Sequence, residues 1–256
     1  MSQSNQAAIV LSCRKVSVSF DGFYALREMD FALRHGELRF LIGPNGAGKT
    51  TMLDAICGKT KPKSGSIVFH DGAETELTRM KEHTIASIGI GRKFQAPSVF
   101  AALSVAENME IALNQRRGVF SVLFAKMGEG DRFAIEETMR LVGLSGKEHM
   151  KAGSLSHGEK QWLEIGMILL MEPKVMLLDE PVAGMTDEET EKTGHLLLKI
   201  KENRTVVVVE HDMDFVRQFS SKVTVMHEGS LLTEGTMEEI QRNEKVAEVY
   251  LGKMAG

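Results

Sequence analysis

Residues 43–51 read GPNGAGKTT, and this stretch decides the fold class. Gly43, Gly48, Lys49 and Thr50 match the spacing G-x-x-x-x-G-K-[ST], between a predicted strand (LRFLI) and a predicted helix (TMLDAIC). The glycines let backbone N–H groups turn inward around an anion, and the helix N-terminus adds partial positive charge. The stretch therefore predicts a phosphate cradle in which Lys49 neutralises terminal phosphate charge and Thr50 ligates Mg²⁺. The alternative is a glycine-rich turn that carries its lysine by chance.

Two acidic residues follow the apolar run KVMLL, at Asp179 and Glu180. Ligands bind beyond the carboxyl ends of strands in open α/β sheets, so this pair is placed to serve the same site. We expect Asp179 to complete the Mg²⁺ shell and Glu180 to orient or deprotonate the attacking water. The alternative is a pair of solvated acids that cap a turn before Pro181.

A second apolar run, TVVVVE, leads to His211 and Asp212. His211 follows the carboxyl end of a predicted strand, so its imidazole is expected to reach a terminal phosphate. A structural histidine is the alternative. Asp212 has the position and side chain of an N-cap for the next helix.

The stretch LSHGEKQW, residues 155–162, has the pattern of a helix start. Ser156 and Glu159 fit a capping box, with the serine as N-cap and the glutamate at the third helical position. The positive end of such a helix is suited to an anion. The segment predicts either a plain helix start or half of an anion-binding site.

Composition limits the class of protein. The 256 residues are 43% hydrophobic and 26% charged with a formal net charge of −4, which is typical of a globular protein and disfavours nucleic acid as a partner. The two cysteines, Cys13 and Cys57, lack metal-ligand spacing and favour a reducing environment. Residues 1–13 lack the features of a secretion signal, and no apolar run approaches the roughly 20 residues of a membrane span.

The pattern of apolar residues changes along the chain. The N-terminal third alternates as strands do, residues 101–153 have helical spacing, and the last third alternates strand and helix. The unbroken runs VMLL and VVVV are typical of parallel strands buried on both faces, so a wound α/β sheet is expected. Residues 114–131, NQRRGVFSVLFAKMGEGD, are interpreted as a mobile or partner-facing arm. Its part at 116–124, RRGVFSVLF, is a candidate membrane-proximal segment, with a loop ordered by packing as the alternative.

The ordered set GPNGAGKTT, LSHGE, VMLLDEP and EHD resembles the ATP-binding subunits of ABC transporters over nearly the whole chain. The resemblance implies one ABC ATP-binding domain over 1–256 with a P-loop NTPase core. It also implies an antiparallel β subdomain together with that RecA-like core over about 1–95 and 166–256, and a helical subdomain over about 96–165. ATP and Mg²⁺ are the implied cofactors.

The resemblance assigns roles to further residues. Gln95 matches a glutamine that binds Mg²⁺ or water and senses the membrane partner, and Phe20 matches the aromatic residue that stacks on adenine, usually a tyrosine; Tyr24 is a nearby competitor. The segment AGMT (183–186) replaces a loop that usually carries aspartate where Thr186 stands. The residues expected to hold the nucleotide are Phe20, Gly43, Pro44, Asn45, Gly46, Ala47, Gly48, Lys49, Thr50 and Thr51. The residues expected to contact ATP on a second subunit are Leu155, Ser156, His157, Gly158 and Glu159.

The resemblance also implies partners. These are integral-membrane permease subunits, a second ABC ATPase subunit that is identical or homologous, and indirectly a solute-binding protein, with the chain held peripherally at the cytoplasmic face of the membrane. The permease contact is expected near residues 96–109. SHGEKQWLEIGM and DEPVAGM are most similar to the urea-transporter member of the branched-chain amino-acid/urea branch. ATP-driven import of urea or short amides is therefore expected; branched-chain or other amino acids are the alternative, and a soluble non-transport ABC ATPase is a more distant one.

Overall fold

The phosphate-cradle sequence lies between two β-sheets of different construction. The computed structural model describes residues 8–92, 99–117 and 128–251 of the chain. The strands are β1 (Ile9–Phe20), β2 (Phe23–Arg34), β3 (Leu38–Ile42), β4 (Ser64–Asp71), β5 (Ala73–Glu76), β6 (Ile90–Arg92), β7 (Val175–Asp179), β8 (Thr205–Val209), β9 (Lys222–His227) and β10 (Ser230–Gly235).

The first sheet is antiparallel and the second is mainly parallel. The order β2-β1-β4-β5 makes the four-stranded sheet, and β10-β9-β3-β8-β7-β6 makes the six-stranded one. In the six-stranded sheet β9, β3, β8, β7 and β6 run parallel, and β10 pairs antiparallel with β9. The short strand β6 was not anticipated from the sequence, because three residues carry no periodic signal.

The parallel strands have the double-sided burial that their unbroken apolar runs predict. All five residues of β3, β7 and β8 are buried. On β7, Val175 and Leu177 pack into one apolar cluster with the antiparallel sheet, and Met176 and Leu178 pack into the other with the helices. Each such side chain contributes about 1.5–3 kcal/mol by leaving water. The sheet is therefore a rigid platform whose carboxyl edge can carry functional groups.

Helices pack on both faces of the six-stranded sheet: Lys49–Ile56 and Glu82–Ser87 lie on the side of the antiparallel sheet, and the others cover the opposite face. The helices are α1 (Lys49–Ile56), α2 (Glu82–Ser87), α3 (Val105–Arg117), α4 (Glu129–Leu141), α5 (His157–Leu170), α6 (Asp187–Ile200), α7 (Met213–Phe219), α8 (Met237–Gln241) and α9 (Glu244–Leu251). The expected mixed α/β class is confirmed. Within the described residues, no helix is long and apolar enough to cross a membrane.

Candidate functional site

The loop between β3 and α1 depends on glycine at two close approaches. Gly43 has φ +151°, and a β-carbon there would lie 2.2 Å from the Met226 carbonyl oxygen. Gly48 has φ +96°, and a β-carbon there would lie 2.5 Å from the Ala25 carbonyl oxygen. Any side chain at either position would force backbone apart, so the loop can pass between β9 and β2 only with glycine at both ends.

Lys49 closes this loop on itself. Its Nζ donates to the carbonyl oxygens of Gly43 at 2.8 Å and Pro44 at 3.2 Å, and the Ala47 N–H donates to Pro44 at 3.1 Å. Asn45 and Gly46 are exposed at the rim, whereas Thr50 and Thr51 are half-buried in the first turn of α1. An arriving phosphate can therefore take over ammonium hydrogen bonds that the backbone holds in its absence.

Asp179 is the last residue of β7, and its buried carboxylate lacks well-formed hydrogen bonds to the part of the chain that the structure describes. It is 2% exposed, and among the described residues neither of its oxygens has a partner in good hydrogen-bond geometry, although the Thr50 hydroxyl lies close enough to lower its pKa. Burial raises the pKa of Asp179, and Thr50 and Arg92 oppose that shift. The Arg92 guanidinium, 3.7 Å away, balances part of this charge, and a carboxylate whose oxygens lack hydrogen bonds is further stabilised when a second cation binds. Asp179 and Thr50 are oxygen donors that fit Mg²⁺ bound together with nucleotide phosphates.

Glu180 and His211 meet at the carboxyl edge of the sheet. The His211 Nδ1 lies 3.6 Å from the Glu180 Oε1, and both side chains are accessible, at 64% and 42% exposure. Glu180 has φ +48°, and its N–H donates to the Val209 carbonyl oxygen at 2.9 Å. The left-handed backbone turns the chain sharply after β7, a strained conformation of the kind found at functional sites.

Glu210 connects the two segments that carry Glu180 and His211. Its buried carboxylate accepts from the Val182 N–H at 3.3 Å and the His211 N–H at 3.1 Å, and burial raises its pKa. This role was not assigned from the sequence. The available signal was an acidic residue ending a wholly apolar strand, where burial is costly without backbone donors.

Arg92 is a second residue that the sequence reading missed. Its buried guanidinium pairs with Asp54 on α1 and lies 3.7 Å from Asp179, and one of its nitrogens approaches the Cys57 sulfur at 3.3 Å. Desolvation lowers the pKa of Arg92, and the contacts with Cys57 and Asp54 outweigh this, so the guanidinium stays charged. The only signal was a basic residue after the apolar run IGIG.

The aromatic candidates lie at the β1–β2 hairpin. Phe20 is 50% exposed, and Tyr24 is 36% exposed. The Tyr24 hydroxyl accepts from the Lys63 Nζ at 3.1 Å, and that ammonium lies 5.1 Å from the ring centroid. Phe20 thus offers a free ring face, whereas Tyr24 is already engaged.

Ser156 begins α5 with the capping box that its sequence predicts. The Glu159 N–H donates to the Ser156 hydroxyl at 3.1 Å, and the Ser156 N–H donates to the Glu159 carboxylate at 2.9 Å. Leu155 is buried, whereas Ser156 and His157 are exposed. The Ser156 hydroxyl is therefore presented at the surface, whereas Gly158 behind it is buried.

Two further helix starts concern the predicted segments. Asp212 caps α7 by accepting from the N–H groups of Asp214 and Phe215, each at 3.0 Å, which confirms that prediction. Thr186 caps α6 with a capping box to Glu189. Gln95 and most of the segment at 116–124 lie outside the described residues.

A groove of about 1220 Å³ opens between the sheet edge at β6 and the helices α2, α3 and α5. Among its described lining residues, Phe100 is 50% exposed, and Arg92 and Cys57 form part of its floor. Because Arg92 also reaches Asp179, the groove and the carboxylate site share one buried side chain.

Comparison with protein families identifies the chain. Residues 26–183 match the family described as ABC transporter, and residues 230–255 match the one described as branched-chain amino acid ATP-binding cassette transporter. It is 33% identical to the high-affinity branched-chain amino acid transport ATP-binding protein LivG of Salmonella typhimurium and 31% identical to BraF of Pseudomonas aeruginosa. Each alignment covers 95% of this chain and 98% of the relative.

A relative named for a different substrate and two solved cassette structures are also similar to this chain. The spermidine/putrescine import ATP-binding protein PotA of Mycoplasma mycoides is 33% identical over 90% of this chain, which covers 62% of PotA. The ADP conformation of the cassette MJ1267 superposes with a TM-score of 0.84 at 27% identity, covering 96% of this chain and 100% of MJ1267. A dimeric post-hydrolysis structure of the cassette MJ0796 with ADP and phosphate gives 0.75 at 27% identity, with 89% and 98% covered.

The phosphate loop, the carboxyl-edge acids and the cassette fold agree with these matches. The expected urea specificity gains no support from them, and the amino-acid alternative fits the relatives better. The chain belongs to the ABC transporter family as an ATP-binding, ATP-hydrolysing subunit.

Proposed function

We propose that the chain is the ATPase subunit of an importer for branched-chain amino acids. The match of residues 230–255 to the branched-chain family is the main support for this substrate class. It is independent of the ATPase match at 26–183. Full-length similarity to LivG and BraF supports it, whereas PotA is matched over only part of its length. The percentage of identical residues is similar for LivG, BraF and PotA, so it does not by itself distinguish branched-chain amino acids from polyamines.

ATP would bind at the carboxyl edge of the six-stranded sheet. Lys49 would exchange its bonds to Gly43 and Pro44 for terminal phosphate oxygens, while the Gly43–Thr51 backbone surrounds the phosphates. Phe20 would stack on the adenine, since Tyr24 is held by Lys63. Mg²⁺ held by Thr50, Asp179 and Gln95 would neutralise the charge that develops during phosphoryl transfer.

Glu180 and His211 would act on the attacking water and the terminal phosphate. The Glu180 carboxylate is accessible and its backbone is fixed by the Val209 carbonyl, so it can hold a water in one position. His211, at 3.6 Å, can orient that carboxylate and donate toward the phosphate. A positioned base contributes about 10²–10⁴-fold in rate.

A second ATPase subunit, identical or homologous, would complete the site. The exposed N-terminus of α5 carries Ser156 and the Gly158 N–H, which are suited to a phosphate on the other chain. The dimeric MJ0796 cassette supports such an assembly. The groove that contains Phe100 and Arg92 is the proposed contact for the permease, which would place the chain at the cytoplasmic face of the membrane.

The test is to purify the assembled complex in detergent through a tag on this chain, then reconstitute it in vesicles. We expect membrane subunits to co-purify and ATP to drive uptake of labelled leucine, with no uptake in a Glu180→Gln complex. Uptake of urea without leucine would overturn the substrate assignment. Absence of membrane subunits would favour a non-transport ATPase.

A further inference from the structure

The N-termini of α5 and α6 share one carboxylate. Glu189 Oε2 accepts from the Thr186 N–H at 3.0 Å, which is the capping interaction of its own helix. Its Oε1 accepts from the Ser156 hydroxyl at 3.0 Å, and that hydroxyl is the N-cap of α5. Two helix starts that are 30 residues apart in sequence are therefore joined through a single side chain.

His157 makes a second bond between the same segments. Its Nε2 lies 2.9 Å from the Ala183 carbonyl oxygen, to which it donates when that nitrogen carries the proton, and the Gln161 side-chain amide lies 3.3 Å from the same nitrogen. Ala183 is three residues after Glu180, and its N–H donates to the Glu180 carbonyl oxygen at 3.3 Å. The segment that carries the candidate base is thus one hydrogen bond from His157.

Farther along the two helices, a buried bond makes them pack as a unit. The Trp162 Nε1 on α5 donates to the Thr193 hydroxyl on α6 at 2.9 Å, and both side chains are buried. The Thr193 hydroxyl in turn donates to the Glu189 carbonyl oxygen at 2.8 Å. The contact between α5 and α6 therefore extends from the exposed N-termini into the buried part of the two helices.

The contact between α5 and α6 also places residue 158 against the Glu189 carboxylate. A β-carbon on Gly158 would lie 2.5 Å from the Glu189 Oε1. The carboxylate fills the space beside the helix, so a side chain at 158 would push Glu189 off Ser156. The glycine serves the contact between α5 and α6 as well as access to the helix N-terminus.

We propose that Glu189 and His157 are positioning residues that couple the two ATP sites of the assembled ATPase pair. This proposal rests on the proposed function, in which Ser156 and Gly158 contact the nucleotide of the second subunit and Glu180 acts on the chain's own nucleotide. Binding at the second subunit's nucleotide fixes Ser156 and His157. The Glu189 and Ala183 bonds transmit that position to the segment that follows Glu180, so occupancy of one site aligns the base of the other.

The test measures ATP cooperativity in the reconstituted complex. Wild type is expected to hydrolyse ATP with a Hill coefficient near the two-site limit of about 2. Glu189→Ala and His157→Gly should lower it toward about 1. The isolated Glu189→Ala subunit should bind a fluorescent ATP analogue as wild type does. Reduced cooperativity with an unchanged affinity of the single site would distinguish a loss of coupling from a general loss of structure.

Two further variants make the result specific. Glu189→Gln keeps an amide oxygen that can accept from Ser156, so it should restore much of the cooperativity. Glu239→Ala is the matched control, since it removes the same capping carboxylate from α8, where Glu239 Oε2 accepts from the Thr236 N–H at 2.7 Å, and it should leave the Hill coefficient unchanged.

Each outcome separates this proposal from the proposed function. A wild-type complex with no ATPase activity would overturn the proposed function. Active wild type without cooperativity, or Glu189→Ala and His157→Gly with wild-type cooperativity, would overturn the coupling alone. Should Glu189→Ala fail to fold, Glu189→Asp carries the test, because the shorter side chain keeps the charge but cannot reach both Thr186 and Ser156.

Discussion

The guanidinium of Arg92 lies 3.7 Å from the carboxylate of Asp179, and both side chains are almost completely buried, at 4% and 1% exposure. The same guanidinium pairs with Asp54 on α1. One buried cation therefore holds together the end of β6, the helix after the phosphate loop and the acid that ends β7. Arg92 also lines the groove proposed for the permease, so that groove reaches the carboxylate site through a single side chain.

Replacement of Arg92 by methionine should destabilise the nucleotide-free protein by about 3–5 kcal/mol, because the buried Asp179 would lose its neighbouring cation and the half-buried Asp54 would keep only Lys59. Urea unfolding measures this difference. Arg140→Met is the matched control, since Arg140 pairs with Glu137 at the surface with 69% exposure and should change stability by under about 1 kcal/mol. Equal effects of the two substitutions would contradict the importance of the buried pair.

Asp179→Asn should stabilise the nucleotide-free protein while abolishing Mg²⁺-dependent hydrolysis. Burial raises the pKa of Asp179 in the folded state, so wild-type stability falls as pH rises through that pKa. Asparagine has no charge to desolvate, and its advantage should grow as the pH rises above the ordinary aspartate pKa and level off once the folded-state carboxyl is ionised. Thermal unfolding as a function of pH measures the effect.

The surface substitution Asp71→Asn is the control for that series, because Asp71 is 37% exposed and pairs with Lys174. It should change stability by under about 1 kcal/mol. An Asp179→Asn protein that is less stable than wild type at pH 8 would show that an attractive partner, rather than burial, determines the contribution of this carboxylate to stability.

Glu180→Gln should bind ATP with nearly wild-type affinity and hydrolyse it about 10²–10⁴-fold more slowly, since the amide cannot accept a proton from water. Single-turnover hydrolysis and equilibrium binding measure the two quantities separately. Glu188→Gln, at the exposed start of α6, should leave both unchanged. Turnover of the Glu180→Gln protein at the wild-type rate would remove Glu180 from the mechanism.

Phe20→Ala should weaken ATP binding by roughly 10–100-fold, because stacking of a base on an aromatic ring contributes about 1–3 kcal/mol. Tyr24→Ala should weaken it less, since the ring and hydroxyl of Tyr24 already contact Lys63. Titration with ATP and with a triphosphate that lacks the base measures the difference. A larger loss for Tyr24→Ala would exchange the two roles.

Much of the fold and of the candidate site was accessible without the structure because it is encoded by neighbouring residues. The GPNGAGKTT stretch specifies its loop through glycine dihedrals and one lysine, and the unbroken runs in β7 and β8 indicate burial on both faces. The capping box at Ser156 and the cap at Asp212 follow from side chains that reach only two or three residues along the chain. The urea expectation failed to gain support because it was drawn from residues near the nucleotide site, which touch no transported solute in the proposed importer.

The pairings between distant segments appeared only with the folded chain. Arg92 meets Asp54 across 38 residues, Glu210 meets the Val182 N–H across 28, and Ser156 meets Glu189 across 33. These pairings depend on which strands are neighbours in the sheet and on how two helices pack. The order of strands and the packing of helices leave no periodic pattern in the sequence around those residues. Local motifs determine what each segment can do because their bonds close within one turn. The tertiary structure decides which segments act together, because burial makes a charge or a donor depend on whatever partner the fold places beside it.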